Sequence, residues 1–177
     1  MNVCGNKISV RLIATILVAL LLSACQSSRY GYKTEKDDGE IIFVGSVGRD
    51  LFSKPENVWF GEMYDSYIPD IGALQPLREM KDTLDVIIFL GTWCDDTHRE
   101  FPRFMKIVES THPPIRIIAF NALNREKKSD SGLPEKFSIT NVPTFVFLKN
   151  GKEVGRIVEM PQKSLEEDIV DIFQKSK

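Results

Sequence analysis

Residues 86–102, VIIFLGTWCDDTHREFP, limit what this chain can fold into more than any other stretch. Val86-Ile87-Ile88-Phe89-Leu90 is an unbroken apolar run, β-branched and aromatic, which predicts a strand buried on both faces. Gly91-Thr92-Trp93 turns the chain. From Asp95 to Ser110 the apolar residues Phe101, Phe104, Met105, Ile107 and Val108 share one side of a helix. Cys94 therefore stands where a strand hands over to a helix N-terminus. Unpaired N–H groups and about half a positive charge collect there. They stabilise a thiolate, lower the pKa of the thiol and make it a nucleophile near neutral pH. The alternative is a buried, inert cysteine, the commonest fate of an unpaired one; the position favours the reactive side chain.

The start of the chain has a different character. Lys7 and Arg11 precede the apolar run Leu12–Leu22, and Ser23-Ala24-Cys25 follows. A basic segment, a short apolar core and small residues before a cut predict a secretory signal. The run is short for a membrane span. Leu22-Ser23-Ala24-Cys25 also resembles the lipobox of bacterial lipoproteins, in which the cysteine is lipidated and becomes the new N-terminus. That implies an exported protein of the bacterial cell envelope, anchored to the membrane through lipidated Cys25. Gln26 differs from the aspartate that resembles an inner-membrane retention signal, so in a two-membrane cell the outer membrane, facing the periplasm, is expected. Loss of residues 1–24 leaves 21 Lys and Arg against 25 Asp and Glu. No basic patch stands out, and nucleic acid is not an expected partner. Cys4 leaves with the signal and Cys25 is taken by lipid, so Cys94 is the one free thiol of the mature protein, with no internal disulfide open to it.

Gln26–Glu40 is polar and without period, and predicts a flexible tether reaching about 20–25 Å. Ile41–Val47 predicts a strand. Trp59, Phe60, Tyr64 and Tyr67 form an aromatic cluster, either a peptide groove or a cover over the core, the cover being preferred. Ile71, Leu74, Leu77, Met80 and Leu84 have the spacing of a helix face. Beyond Pro113-Pro114, Ile115–Phe120 predicts a second buried strand, Asn121–Leu133 a loop and Glu135–Ile139 a helical turn. Phe145–Leu148 and Val154–Val158 predict strands joined at Asn150-Gly151, a strong hairpin signal. Ser164-x-x-Glu167 is a capping box before a last helix carrying Leu165, Ile169, Ile172 and Phe173.

Two segments together resemble the thioredoxin family. Trp93-Cys94, after an apolar strand and with Pro102 eight residues beyond the cysteine, is similar to that family's W-C-x-x-C segment and its helix-kinking proline. Asn141-Val142-Pro143-Thr144-Phe145-Val146-Phe147-Leu148-Lys149-Asn150-Gly151-Lys152 is similar to its cis-proline strand, turn and following strand. The resemblance runs over roughly Leu84–Phe173. It implies an α/β thioredoxin-like fold, a central mixed sheet flanked by helices, with an N-terminal extension. The chain then divides into a signal (1–24), the lipidated cysteine and tether (25–40), the extension (41–83) and the core (84–177). The resemblance also implies that Val142-Pro143 is cis and packs against Cys94, and that Trp93, Val142, Pro143 and Thr144 bind an extended substrate segment.

Thr97 replaces the second cysteine of the family pattern, and Ile88 stands where dithiol members carry a buried aspartate six residues before the first cysteine. The resolving thiol and its proton carrier are missing together. Cys94 is then expected to act as a monothiol, with Thr97 offering a hydroxyl to the thiolate or merely occupying the helix face. Glutathione or another low-molecular-weight thiol would complete the cycle, and no other cofactor is expected. Asp95 and Asp96 suit a helix first turn but repel a thiolate. His98, at i+4, reads as a surface histidine in preference to a general base. Cys94 and His98 alone are too few ligands for a metal. The expected function is thiol-disulfide exchange by a monomer on disulfide-containing or extended protein segments. The alternative is a binding module of the same fold without turnover.

Overall fold

The computed structural model describes residues 31–37 and 39–176. Cys25 and the signal segment lie outside the described residues. Six strands form one mixed sheet in the order β1-β2-β4-β3-β5-β6: β1 Tyr32–Asp37, β2 Glu40–Val47, β3 Leu84–Leu90, β4 Ile115–Ala122, β5 Thr144–Lys149 and β6 Lys152–Val158. β3 runs parallel to β4; the other pairs are antiparallel. The helices are α1 Val58–Ser66, α2 Asp95–Thr111, α3 Leu133–Lys136 and α4 Leu165–Lys175. This is the mixed sheet flanked by helices that the sequence implies.

β3 is buried on both faces, as its composition requires. Leu84, Val86, Ile88 and Leu90 enter a large core shared with Phe60 of α1, Phe101, Phe104 and Ile107 of α2, and Ile169 and Phe173 of α4. Ile87 and Phe89 face a smaller core of Leu123, Ile139, Val142, Val146 and Leu148, against which Trp93 and Cys94 pack. Full burial of such side chains stabilises by about 1.5–3 kcal/mol each, so this strand is a fixed platform for the turn that follows it. Asn150 and Gly151 take φ of 53° and 77° in the β5–β6 turn, the positive values a tight hairpin needs. Ser164 Oγ accepts from the Glu167 N–H at 3.1 Å, capping α4.

Three expectations are corrected. The polar segment read as a tether forms β1 over residues 32–37, paired with β2 from Tyr32↔Gly45 to Asp37↔Glu40. Its polarity reflects an edge position, with side chains largely in solvent. The helix expected over residues 71–84 is a 3-10 helix at Gln75–Glu79. Leu74 and Leu77 are buried, but their spacing of three is the 3-10 period, and Pro76 cannot donate an interior helical bond. β4 is only half-buried: Ile118 is 48% exposed.

The segment between β2 and β3 lies over the large core. Phe52 and Phe60 meet the Phe101 ring at centroid distances of 4.6 and 5.3 Å. Arg49 Nε donates to Glu109 Oε1 at 2.9 Å. The aromatic cluster is thus chiefly a cover, with Trp59 at its margin beside the cysteine turn.

Candidate active site

The site is built where β3 ends. Cys94 is the N-cap of α2. Its N–H donates to Gly91 O at 3.0 Å and its carbonyl accepts from the His98 N–H at 2.9 Å. The side chain is half-buried, and among the described residues it has no other cysteine to pair with. Its thiol donates to Val142 O at 3.2 Å. The Val142-Pro143 bond is cis, so the loop before β5 lies against the cysteine as the resemblance implies. The Pro143 carbonyl accepts from the Glu159 N–H at 2.7 Å, which ties this loop to the chain leaving β6.

Each residue of the turn before Cys94 is held by a different part of the fold. The Gly91 N–H donates to Thr97 Oγ1 at 3.3 Å. Thr92 Oγ1 accepts from the Phe43 N–H of β2 at 3.2 Å. Trp93 Nε1 donates to Leu123 O at 2.9 Å. Arg125 and Lys127 lie over the Trp93 indole at 5.1 and 5.2 Å, where a cation is drawn to the negative ring face. Arg125 also pairs with Asp37 and Glu40, and so ties the β1–β2 hairpin to this face of the site. Gly91 has no room for a side chain: a Cβ there would lie 2.8 Å from Trp93 Cε2.

Several expected roles change. Thr97 is fully buried and its oxygen is turned to Gly91, so it braces the turn and does not present itself to the thiol. Thr144 is also fully buried and its hydroxyl donates to Asn141 O at 2.8 Å, so its side chain shapes the loop. Val142 is buried as well, and what it brings to the cysteine is its carbonyl. His98 is neither a free surface side chain nor a base toward Cys94. Its Nε2 lies 2.8 Å from Thr92 O and its ring stacks on Trp59 with centroids 4.2 Å apart. Asp95 is exposed, whereas Asp96 accepts from Arg99 at 2.6 Å. Glu100 and Asp96 hold the Arg99 guanidinium in its charged form. That pairing offsets one of the two carboxylates expected to repel a thiolate. Among the described residues no group of three or more His, Cys, Asp or Glu is placed to hold a metal ion, and no helix is long and apolar enough to cross a membrane.

The arrangement can perform one kind of chemistry readily. A half-exposed thiol at a helix N-cap lies beside the cis-proline loop, with a partly buried indole on its flank.

The chain is similar to known proteins over this region. The sequence model of the Thioredoxin family matches residues 75–171. The chain is 32% identical over 91 residues to "Thioredoxin-like protein R548" of Acanthamoeba polyphaga mimivirus, covering 51% of this chain and 64% of that protein. It is 25% identical over 134 residues to "Thioredoxin-3, mitochondrial" of Saccharomyces cerevisiae, covering 75% of this chain and all of that one. Among solved structures, Fasciola hepatica thioredoxin superposes with a TM-score of 0.39 at 24% identity, over 58% of this chain and 89% of that chain.

Proposed function

Since the chain belongs to the thioredoxin family, we propose that it is a monothiol thiol-disulfide exchange protein acting through Cys94. The observation that carries this reading is the contact of Cys94 Sγ with Val142 O at the cis-proline loop, with Thr97 where a resolving thiol would stand. In the first step the Cys94 thiolate attacks R–S–S–R′. A Cys94–S–S–R bond forms, the substrate S–S bond breaks, and R′–S⁻ leaves and takes up a proton. Glutathione or a similar small thiolate then attacks the mixed disulfide at the substrate sulfur or at Cys94 Sγ. Attack at the substrate sulfur releases R–S–S–G and regenerates the Cys94 thiolate. When R is itself glutathione, the product is oxidised glutathione, and two electrons have passed to R′.

The fold supplies position more than acid-base chemistry. The turn 91–93 and the loop 141–143 meet at the sulfur, and Ile88, fully buried in the large core, offers no proton carrier behind it.

Turnover of a glutathione mixed disulfide by the full chain, wild type against Cys94→Ser, tests the reading. Cys94-dependent turnover that rises with glutathione supports it. Equal rates for the two proteins would leave a peptide-binding module.

The second part of the proposal is envelope attachment through lipidated Cys25. The lipobox resemblance supports it. β1 begins at Tyr32, so the seven steps from Cys25 reach at most about 25 Å. The domain would stand close to the lipid surface.

A further inference from the structure

Beyond Cys94 and the cis-proline loop, two side chains converge on the cysteine turn from an unexpected direction. His98 Nε2 is 2.8 Å from the Thr92 carbonyl oxygen. A carbonyl only accepts, so Nε2 carries the hydrogen, and in the neutral ring Nδ1 is the acceptor. The imidazole is clamped on one face by Trp59, at 4.2 Å and 23° between planes. Trp59 is set in turn by Phe52 and Phe60, at 6.5 and 6.0 Å. Thr92 is gripped a second time through Oγ1, by the Phe43 N–H of β2. Phe43 and Trp59 both precede residues 75–171, which match the family. Two elements of the extension therefore close on one residue, two positions before the cysteine.

On the thiol-exchange reading above, we propose that Trp59 and His98 are positioning residues, through which the N-terminal extension fixes the turn that aims Cys94. The path is short: α1 holds Trp59, Trp59 orients the His98 ring, and His98 Nε2–H holds the Thr92 carbonyl. The turn then delivers Cys94 to Val142 O. Released from His98, the Thr92 carbonyl loses this partner, and the sulfur is held less firmly in place. A misplacement of about 1 Å at a reacting atom can cost up to ~10²-fold in rate. With Phe43, Leu123 and Thr97 still holding the turn, a smaller loss is expected.

The test is the rate of Cys94 alkylation by iodoacetamide at fixed pH in the full chain, with a urea midpoint for each variant. Trp59→Ala and His98→Ala should each slow alkylation about five- to tenfold, and the double variant should be no slower than His98→Ala, since the two act in series. His98→Gln should return to within about twofold of wild type, because its amide nitrogen reaches the place of Nε2 and donates. His98→Asn, whose amide reaches only the place of Nδ1, should stay slow. This Gln–Asn comparison also decides the matter if His98→Ala fails to fold. Equal rates for Gln and Asn in variants with wild-type midpoints, or a wild-type rate for a folded His98→Ala, would overturn the proposal. Alkylation reports on the thiol alone. A His98-dependent rate without glutathione turnover would therefore sink the exchange reading and leave the positioning pair standing.

Discussion

The thiol of Cys94 donates to the carbonyl oxygen of Val142 across 3.2 Å, joining residues 48 positions apart in the chain. One residue begins a helix and the other precedes a cis proline. Neither segment would make a reactive site alone. Brought together, they set the thiol against the backbone of the cis-proline loop.

Thr97→Cys tests what the third residue after Cys94 decides. Thr97 is buried and holds the Gly91 N–H, so the change should cost roughly 1 kcal/mol of stability. It should also create a C-x-x-C pair that closes to an internal disulfide and gives faster insulin reduction than the wild type. The gain should stay below that of dithiol relatives, because Ile88 offers no proton carrier. Insulin turbidity beside thiol counting checks both points.

Gly91→Ala should disturb the site through Trp93. The new methyl group would meet the indole at 2.8 Å, and the indole cannot retreat without giving up Leu123 O. A loss of about 1–3 kcal/mol is expected, as for an overpacked interior. Urea unfolding should show it, with a shift in tryptophan emission.

Glu109 should make attachment of the extension sensitive to acid. Burial pushes its carboxyl up, but Arg49 and the Tyr64 hydroxyl outweigh that and hold it below the usual carboxylate range. Burial and the Glu109 contact push Tyr64 up to about 12, so this hydroxyl keeps its proton. A carboxylate with a depressed folded pKa contributes its stability above its unfolded value near 4.3 and loses it as pH falls through the folded one. The contribution should be at most about 1 kcal/mol for so exposed a pair. Glu109→Gln should flatten the difference between urea midpoints at pH 6 and pH 3 by that amount.

Cys25→Ser should move the protein from the membrane fraction to the soluble fraction, or leave its precursor unprocessed. Membrane association unchanged from wild type, with normal processing, would contradict lipid anchoring.

Much of this fold is written locally. The apolar run Val86–Leu90, the helix face of α2, the Asn150-Gly151 turn and the Ser164 cap each follow from neighbouring residues, and each stands where its pattern predicts. β1 was not legible from its pattern, because an edge strand with its side chains largely in solvent has the polarity of a tether; the Asp38-Gly39 pair before β2 is a local hairpin signal for it. The orientations of Thr97, His98 and Thr144 were not legible either. Each depends on a partner supplied by the tertiary fold: the Gly91 N–H, the Trp59 ring and Thr92 carbonyl, and the Asn141 carbonyl. Residue spacing placed His98 near the cysteine but carried no sign of Trp59, nearly forty residues earlier and in a segment that reads as a core cover.

The most direct test of the central claim is the intact mass of the mature protein, processed and lipidated at Cys25, after exposure to a small peptide disulfide. The account predicts one peptide adduct on Cys94, persisting for lack of a resolving thiol and released by glutathione with return of the free thiol. An unmodified Cys94 under conditions that modify free cysteine, or an adduct that glutathione does not release, would contradict it.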